Sequence, residues 1–532
     1  MINHRFTKAT SLLLILVFIS SLYPLSDSSK LTAIVIQPID ILFLNSETSN
    51  RFEGYNLFVV ERRTSAGWII VNRTMLITDL DGNIYFEREI SGSGGLADHA
   101  AEFINSTTIL YSELGLTRLW NIETNVTTDF SFAGHHDTER NYANDTYFVL
   151  KGEVIEIDGE DYLYDKIHEY SPEGDLVWEF NTLDIVNESY WCPFEDMESS
   201  FRDLTHSNSA YYDEAEDVIY LNSRNLNTFF KIDHKTGGVI WALGEYGNFT
   251  LYDFYGNQQE IMFYHTHSLE KIGDNKFLVF DNDTHNQTNA NNLHSRLLEI
   301  TIDENKMQAN VSWEWISSID YFSGWWGDCD ILPNNNVLGV FGTTGHPNTE
   351  LGARLVEVNR SQEITWEFSF PKADDEVFGV YKIERIRFAP IVSTPRFIEE
   401  VNSSYLEWDV WYNFRSKTNF TGSYFIDIDG VTVETGQLDF PRYWQSTQVQ
   451  YEVDEITAGT HNISLIVADE AGHLSNESDR FSSTGTFTFK GIAKKSLKLG
   501  LSIGIPSSTL LIAFVVLFIF LNKKGYLKKK RA

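Results

Sequence analysis

The sequence predicts an all-β body built from repeated groups of short strands. Aromatic residues make up 14% of the 532 residues, glycine is frequent, and no long amphipathic helical pattern occurs before the C-terminus. A turn followed by a strand that closes on an aromatic residue occurs at intervals of about 45 to 75 residues. The closures are Phe86, Phe130, Trp178, Trp241, Trp315 and Trp366. This repetition predicts a six-bladed β-propeller, whose blades have four strands each.

A second phrase places a His or Asp just ahead of a run of β-formers. Its copies begin at His99, His136, His206, His267 and Asp328. In a propeller the innermost strand of every blade lines the central channel. Side chains at equivalent places in the repeat therefore converge, and the pattern predicts several imidazoles at one mouth of the channel.

The chain divides into five predicted segments. Residues 1–30 join a charged head to a short apolar run, as in a secretory signal peptide, and without a clear cleavage site an uncleaved anchor is the alternative. The propeller is predicted over 31–390. An immunoglobulin-like β-sandwich is predicted over 391–490, where turns follow about every 8 to 12 residues. Residues 499–521 are long and apolar enough for a transmembrane helix, and the basic segment 522–532 predicts a cytoplasmic tail with the body outside the cell.

Charge and cysteine content limit the partners. The net charge of −34 disfavours nucleic acid, whose phosphates require a basic face. Fourteen Asn-x-Ser/Thr sequons fall on the side predicted to be extracellular, which predicts a glycoprotein. The only cysteines, Cys192 and Cys329, are too far apart in sequence to decide whether they pair. Neither a metal nor a cofactor is predicted, and no oligomeric state is assigned.

Three of the repeated histidines have the richest polar surroundings: His136, His206 and His267. Arg224 follows His206 by about one strand, turn and strand. Imidazoles together with a guanidinium suit an oxyanion with several acceptor atoms, such as sulfate or phosphate.

Linked motifs over roughly residues 70–370 resemble the arylsulfotransferases of the bacterial and archaeal ASST type. The resemblance lies in His206-Ser-Asn-Ser, Asn222-Ser-Arg, the segment from Lys231 to Gly244, His267 followed by Phe-Leu-Val-Phe-Asp-Asn282, Ser295-Arg-Leu-Leu-Glu299 and Leu332-Pro-Asn-Asn-Asn336. It implies a six-bladed propeller that moves a sulfuryl group from a phenolic sulfate ester to another phenol. It also implies a sulfohistidine intermediate and no nucleotide sulfate donor.

The resemblance also implies roles for individual residues. His267 would accept the sulfuryl group, while His136, His206, Asn208 and Arg224 would hold the sulfate oxygens. His206 or His136 would exchange the proton with the phenol. These roles agree with general chemistry, because a neutral imidazole is a competent nucleophile and positioned donors stabilise developing charge.

The sequence departs from the family pattern around the attacking histidine. Thr266 stands where the family usually has Gln, and the following turn also differs. His265 is two residues from His267, and strand alternation predicts that both face the same side, which leaves open which imidazole attacks. His265, His346 and Thr343 are therefore substrate-binding candidates.

Less specific interpretations remain beside this one. An inner-strand histidine could simply hydrogen-bond within a wet channel. His135-His136-Asp137 and His265-x-His267 could together bind a metal, since imidazole suits zinc or copper. The alternative function is a non-catalytic surface propeller that binds a glycan or a protein.

Overall fold

The fold is taken from a computed structural model of the chain. It describes residues 42–46, 50–64, 70–91, 100–186, 190, 192, 201–286, 293–342, 351–371, 376–399, 403–453, 456, 459–475 and 484–489. The predicted signal peptide, transmembrane helix and basic tail lie outside the described residues, as do His99, Thr343 and His346. Within the described part of the chain, no helix has the length and apolar character needed to cross a membrane.

The first half of the chain contributes seventeen strands. They are β1 (Leu42–Ser46), β2 (Tyr55–Thr64), β3 (Ile70–Asp79), β4 (Ile84–Ile90), β5 (Ala101–Asn105), β6 (Thr108–Glu113), β7 (Leu116–Asn121), β8 (Val126–Phe130), β9 (His135–Asn141), β10 (Thr146–Ile157), β11 (Glu160–Tyr170), β12 (Leu176–Asn181), β13 (Arg202–Asp203), β14 (Ser207–Asp213), β15 (Val218–Ser223), β16 (Thr228–Asp233) and β17 (Val239–Gly244). A short 3₁₀ turn at Thr182–Asp184 follows β12.

The second half continues in the same way. Its strands are β18 (Thr250–Tyr252), β19 (Gln258–Gln259), β20 (His267–Gly273), β21 (Lys276–Asp281), β22 (Arg296–Asp303), β23 (Gln308–Ile316), β24 (Asp328–Ile331), β25 (Val337–Phe341), β26 (Leu351–Val358), β27 (Ile364–Pro371), β28 (Glu376–Ile386), β29 (Ile391–Val392), β30 (Arg396–Glu399), β31 (Ser404–Trp411), β32 (Phe420–Ile428), β33 (Val431–Phe440), β34 (Thr447–Glu452), β35 (Gly459–Ala468) and β36 (Thr484–Phe489). A second 3₁₀ turn at Ile319–Tyr321 precedes β24.

The described strands form eight sheets, six of them before residue 387. Sheet I pairs β28 with β2, β3 and β4, and sheets II, III and IV contain β5 to β8, β9 to β12 and β14 to β17. Sheet V is built on β20 to β23 and sheet VI on β24 to β27, with β1 added to sheet VI. Each group of four is antiparallel, so the prediction of an all-β fold is confirmed.

The six aromatic closures each fall in a different sheet. Phe86 lies in β4, Phe130 in β8, Trp178 in β12, Trp241 in β17, Trp315 in β23 and Trp366 in β27. Each of these strands is the last of its group of four, and the tryptophans of β17, β23 and β27 are buried. The repeat seen in the sequence therefore corresponds to one sheet per copy.

Sharp hairpins make these compact groups possible. Residues 114–115, 158–159 and 429–430 connect β6 to β7, β10 to β11 and β32 to β33, and both residues of each pair have a positive φ. Two consecutive positive φ angles define a type I′ turn, whose twist matches that of the flanking strands. Glycine at the second position of each pair adopts this conformation without steric cost.

The first edge strands of the sheets lie next to one another and are called here the inner strands. Strand β9 packs beside β14, β14 beside β20, β20 beside β24, and β24 beside β28. The last strand of this part, β28, thus takes the inner place in sheet I, where β2 would otherwise be at the edge. This arrangement joins the end of the repeat to its beginning.

Two further sheets follow β28. Sheet VII contains β29, β30, β31 and β34, and sheet VIII contains β32, β33, β35 and β36. Their apolar side chains, including Leu406, Trp408, Ile463 and Leu465, belong to one buried cluster. Burial of such large side chains between two sheets stabilises them as a layered pair. The predicted boundaries at residues 390 and 391 remain predictions.

Sheets VII and VIII attach to one end of the inner strands. Arg442 Nη1 lies 2.5 Å from Oδ1 of Asp213, the last residue of β14. Lys417 Nζ lies 2.5 Å from Glu139 Oε2 near the end of β9. The histidines His135 and His267 begin their strands, so they occupy the opposite end. The attached sheets therefore leave the histidine end uncovered by these contacts.

Candidate active site

His267 is held in one tautomer by a rigid amide. It is the first residue of β20, it is 1% exposed, and its Nδ1 lies 2.7 Å from Asn282 Oδ1. The Asn282 Nδ2 donates to the carbonyl oxygens of Ser323 at 2.7 Å and Trp326 at 3.2 Å. Because these bonds fix the amide, Oδ1 must face the imidazole and accept its proton. His267 therefore carries hydrogen on Nδ1 in the neutral ring, which makes Nε2 the unprotonated nitrogen.

The surroundings of His267 favour the neutral ring. Burial is the largest cause, and the nearby positive charge of Arg224 the next, of a pKa well below the usual histidine range. The pKa of His265 is lowered well below its usual value by burial and Arg224 as well. A neutral imidazole with an unprotonated nitrogen is the nucleophilic form of histidine.

Tyr381 of β28 lies between His267 and His136 and contacts both rings. The ring centroid of Tyr381 lies 5.8 Å from that of His267 and 5.9 Å from that of His136. His136 and His206 are themselves in contact, with centroids 5.1 Å apart. Burial raises the pKa of Tyr381, so the phenol stays protonated, and its hydroxyl donates to the Asn208 carbonyl at 3.4 Å. The Tyr381 ring thus contacts His267 and His136, and His206 joins the group through His136.

Carboxylates orient the outer histidines. His206 Nδ1 lies 2.5 Å from Asp203 Oδ2, which favours hydrogen on Nδ1 and fixes the orientation of the ring. His136 Nδ1 lies 2.7 Å from Nδ1 of His135, and His135 Nε2 lies 3.0 Å from Asp165 Oδ1. His206 is the most exposed member, with 23% of its side chain accessible. It is therefore the best placed of the three to meet an incoming phenol.

The backbone at this end is strained. His136, His206, His265 and Ser268 have φ angles of 60°, 42°, 53° and 51°. Left-handed conformations of this kind cost a non-glycine residue about 1 kcal/mol each and persist only where surrounding contacts enforce them. Their concentration around the imidazoles indicates that side-chain positions, rather than local backbone preference, determine this region.

Asn208 and Asn222 connect β14 and β15 to the residue ahead of His267. Each amide nitrogen donates to the Thr266 carbonyl at 2.8 Å, and Asn222 also donates to Asn208 Oδ1 at 2.7 Å. The Asn208 side chain is fully buried. This geometry makes Asn208 a positioning residue for the His267 segment. Arg224, 4% exposed, donates from Nη1 to Asn225 Oδ1 at 2.7 Å.

His265 points to a different set of partners than the sequence predicts. It precedes β20 and has a positive φ, so strand alternation does not apply to it. Its Nε2 lies 3.2 Å from His285 Nδ1 and 3.6 Å from Cys192 Sγ. Cys192 and Cys329 are both buried, and no disulfide joins them. Within the described residues, the side chains of Cys192, His265 and His285 form the group of donor atoms that could hold a metal ion.

The structure thus brings His136, His206 and His267 into one cluster, with Arg224 charge acting on His267. Sequence reasoning did not identify Tyr381, Asp203 or Asp165 as members of the site. Asn282 was visible in the sequence as the end of a motif that begins at His267, and the structure shows its buried side chain bonded to the His267 imidazole.

Similar folds among solved structures are distant. One is the extracellular domain of a one-component system protein from B. thetaiotaomicron, at 10% identity and a TM-score of 0.27, covering 85% of this chain and 58% of that chain. Another is a protein from Bacteroides fragilis described as a 6-phosphogluconolactonase, at 10% identity and a TM-score of 0.28, covering 64% and 100%. Scores this low carry no argument about this chain. No curated protein matches it.

The sequence model of the family Arylsulfotransferase (ASST) matches residues 50–382. This range includes sheets I to VI except for β1 and the last residues of β28, and it includes the whole histidine cluster. It also covers more than half of the 532-residue chain. The chain therefore belongs to the arylsulfotransferase (ASST) family.

Proposed function

We propose that the protein is an aryl-sulfate sulfotransferase that needs no nucleotide donor and works through a sulfohistidine on His267. In this proposal sheets I to VI are the blades of a six-bladed propeller, and sheets VII and VIII form an immunoglobulin-like sandwich. The observation that carries it is the His267–Asn282 bond of 2.7 Å, because it presents Nε2 with a lone pair. Family membership supports the substrate class, phenolic sulfates and phenols.

The first half-reaction loads the histidine. Nε2 of His267 attacks the sulfur of an aryl sulfate, an N–S bond forms, and the S–O bond to the aryl group breaks. The bonding electrons leave with the phenolate oxygen, which takes a proton from His206 or His136. Arg224 offsets the charge on the sulfate oxygens. The Asn282 acceptor favours this step, since it stabilises the positive charge that forms on the imidazole.

In the second half-reaction the sulfuryl group moves from His267 to the acceptor phenol. The acceptor phenol gives its proton to the same histidine that supplied one, and its oxygen attacks the sulfur. The N–S bond breaks and His267 returns to the neutral tautomer. Splitting one transfer into two displacements of this kind produces ping-pong kinetics. Asp203 supports the exchange by holding the orientation of the His206 ring.

The reaction is proposed to take place outside the cell on a membrane-anchored enzyme. Support comes from the sequence of residues 1–30, the apolar segment 499–521 and the basic tail 522–532. Truncation before residue 499 should release active protein into the medium, whereas the full chain should remain with the membrane fraction. Full-length protein recovered without membranes would contradict the anchor.

A chromogenic aryl sulfate with phenol as acceptor tests the chemistry. Wild-type protein should release the coloured phenol and form phenyl sulfate, and His267→Ala should abolish both. His461→Ala is the matched control, since this sandwich histidine pairs with exposed Asp429 far from the cluster and should leave the rate unchanged. Acid hydrolyses the N–S bond of a sulfohistidine, as it does the N–P bond of a phosphohistidine. The sulfated His267 peptide is therefore sought by mass spectrometry after digestion at alkaline pH. Equal rates in wild type and His267→Ala would instead favour a surface-binding propeller.

A further inference from the structure

A triangle of metal-binding atoms lies beside His267. Cys192 Sγ is 3.6 Å from His265 Nε2 and 3.5 Å from His285 Nδ1, and the two nitrogens are 3.2 Å apart. His265 and Cys192 are buried, and His285 is half-buried. The three residues lie at positions 192, 265 and 285, and their spacing matches no metal-binding sequence motif, so the sequence alone does not predict the site.

The triangle has the dimensions of a tetrahedral zinc site. Bond lengths of about 2.3 Å to sulfur and 2.0 to 2.1 Å to nitrogen at tetrahedral angles place sulfur and nitrogen about 3.6 Å apart. The same geometry places two nitrogens about 3.3 Å apart. All three observed separations agree with these values within about 0.2 Å, the tolerance used for metal sites.

Hydrogen bonding alone does not account for the triangle. A ring nitrogen of neutral histidine is either a donor or an acceptor with one lone pair, never both. Three such contacts around one triangle therefore cannot all be good hydrogen bonds at once. A central cation satisfies all three atoms together, because each offers it a lone pair.

We propose that Cys192, His265 and His285 bind a zinc ion, with the fourth coordination position left for water or a substrate oxygen. One thiolate and two imidazoles form a donor set that suits zinc, and three protein ligands are typical of zinc sites that keep an open position. Zinc bound to Nε2 of His265 would occupy the lone pair of that nitrogen, so His265 could not act as a nucleophile. If the proposed function holds, His267 is then the histidine that attacks sulfur.

Metal analysis tests this independently of sulfuryl transfer. Purified full-length protein, incubated with excess Zn²⁺ and desalted, should retain about one zinc per chain by mass spectrometry of the metal. Replacement with Co²⁺ should produce intense tetrahedral visible bands and a thiolate-to-cobalt charge-transfer band. Cys192→Ser should remove the charge-transfer band, and His285→Ala should weaken metal binding by at least about 10-fold.

Cys329→Ser is the matched control, because this second buried thiol lies outside the triangle and should leave both signals unchanged. Circular dichroism confirms folding, and the half-buried His285 gives a second variant if Cys192→Ser does not fold. Absence of stoichiometric zinc and cobalt from the wild type overturns the proposal, as does unchanged binding in folded His285→Ala. Loss of sulfuryl transfer with metal binding intact would contradict the proposed function alone.

Discussion

Replacing Asp165 by asparagine should loosen the histidine cluster without touching any residue that contacts a substrate. Asp165 is 2% exposed, and it accepts hydrogen bonds from Thr205 Oγ1 at 2.7 Å and from the Ser207 backbone at 2.5 Å. These two residues flank His206. Its other oxygen lies 3.0 Å from His135 Nε2. The carboxylate therefore positions two histidine segments at once.

The expected cost follows from these contacts. Burial acts to raise the pKa of Asp165, but the His135 imidazole and the hydrogen bonds outweigh it and lower the pKa, so the group is ionised. Each hydrogen bond to a charged acceptor contributes about 1.5 to 3 kcal/mol. Asparagine has the same shape as aspartate, but it lacks the negative charge. Its NH₂ group would also face one of the groups that now donate a hydrogen bond to Asp165, and that bond would be lost. We expect Asp165→Asn to lower the free energy of unfolding by about 2 to 4 kcal/mol.

Urea denaturation measures this loss, and the aryl sulfate assay measures its effect on the site. Asp303→Asn is the matched control: its pair with Lys306, at 2.6 Å, is solvent-exposed and should contribute nothing measurable. Sulfuryl transfer by Asp165→Asn should fall in kcat more than in KM, since His206 and His136 lose their orientation. A stability no lower than that of the control would refute the reasoning.

Three other perturbations probe separate contacts. Asn282→Ala should reduce sulfuryl transfer by about 10- to 100-fold, because His267 loses the acceptor that selects its tautomer. Asp213→Asn should lower the free energy of unfolding by about 3 kcal/mol, since buried Lys271 and half-buried Arg442 lose a shared carboxylate whose pKa they lower despite burial. The bond to Asp469 raises the pKa of His473 to about 9, so its stabilisation is complete below about pH 6.5 and lost as the pH rises through about 9. Urea midpoints of wild type and His473→Gln should accordingly converge above pH 9.

Each of these has a control variant or an outcome that would contradict it. Asn282→Asp keeps an acceptor oxygen and should retain more activity than Asn282→Ala; the reverse order would contradict the tautomer argument. For the buried carboxylate, an Asp213→Asn protein as stable as wild type would show that the far end of the inner strands does not hold sheets VII and VIII. For the pH effect, His461→Gln serves as the control, because His461 of β35 pairs with Asp429 in a hairpin of the same sheet.

The all-β fold and the number of repeated sheets could be predicted because they depend on local patterns. Turn residues, β-forming runs and closing aromatics recur along the chain, and every closure lies in its own sheet. His136, His206 and His267 could be selected for the same reason, since a repeated position in a repeated unit returns to the same place in space.

Other parts of the site depend on contacts between distant segments, which sequence spacing does not encode. Tyr381 enters the cluster only because β28 takes the inner edge of sheet I beside β24. His265 turns toward Cys192 and His285 because its backbone is left-handed and it precedes the strand. The sequence by itself determined the repeated strands and the histidines they carry, because both are local and periodic. Only the tertiary structure decided which nitrogen of His267 is free and which groups surround it, because hydrogen bonds between sheets orient those side chains.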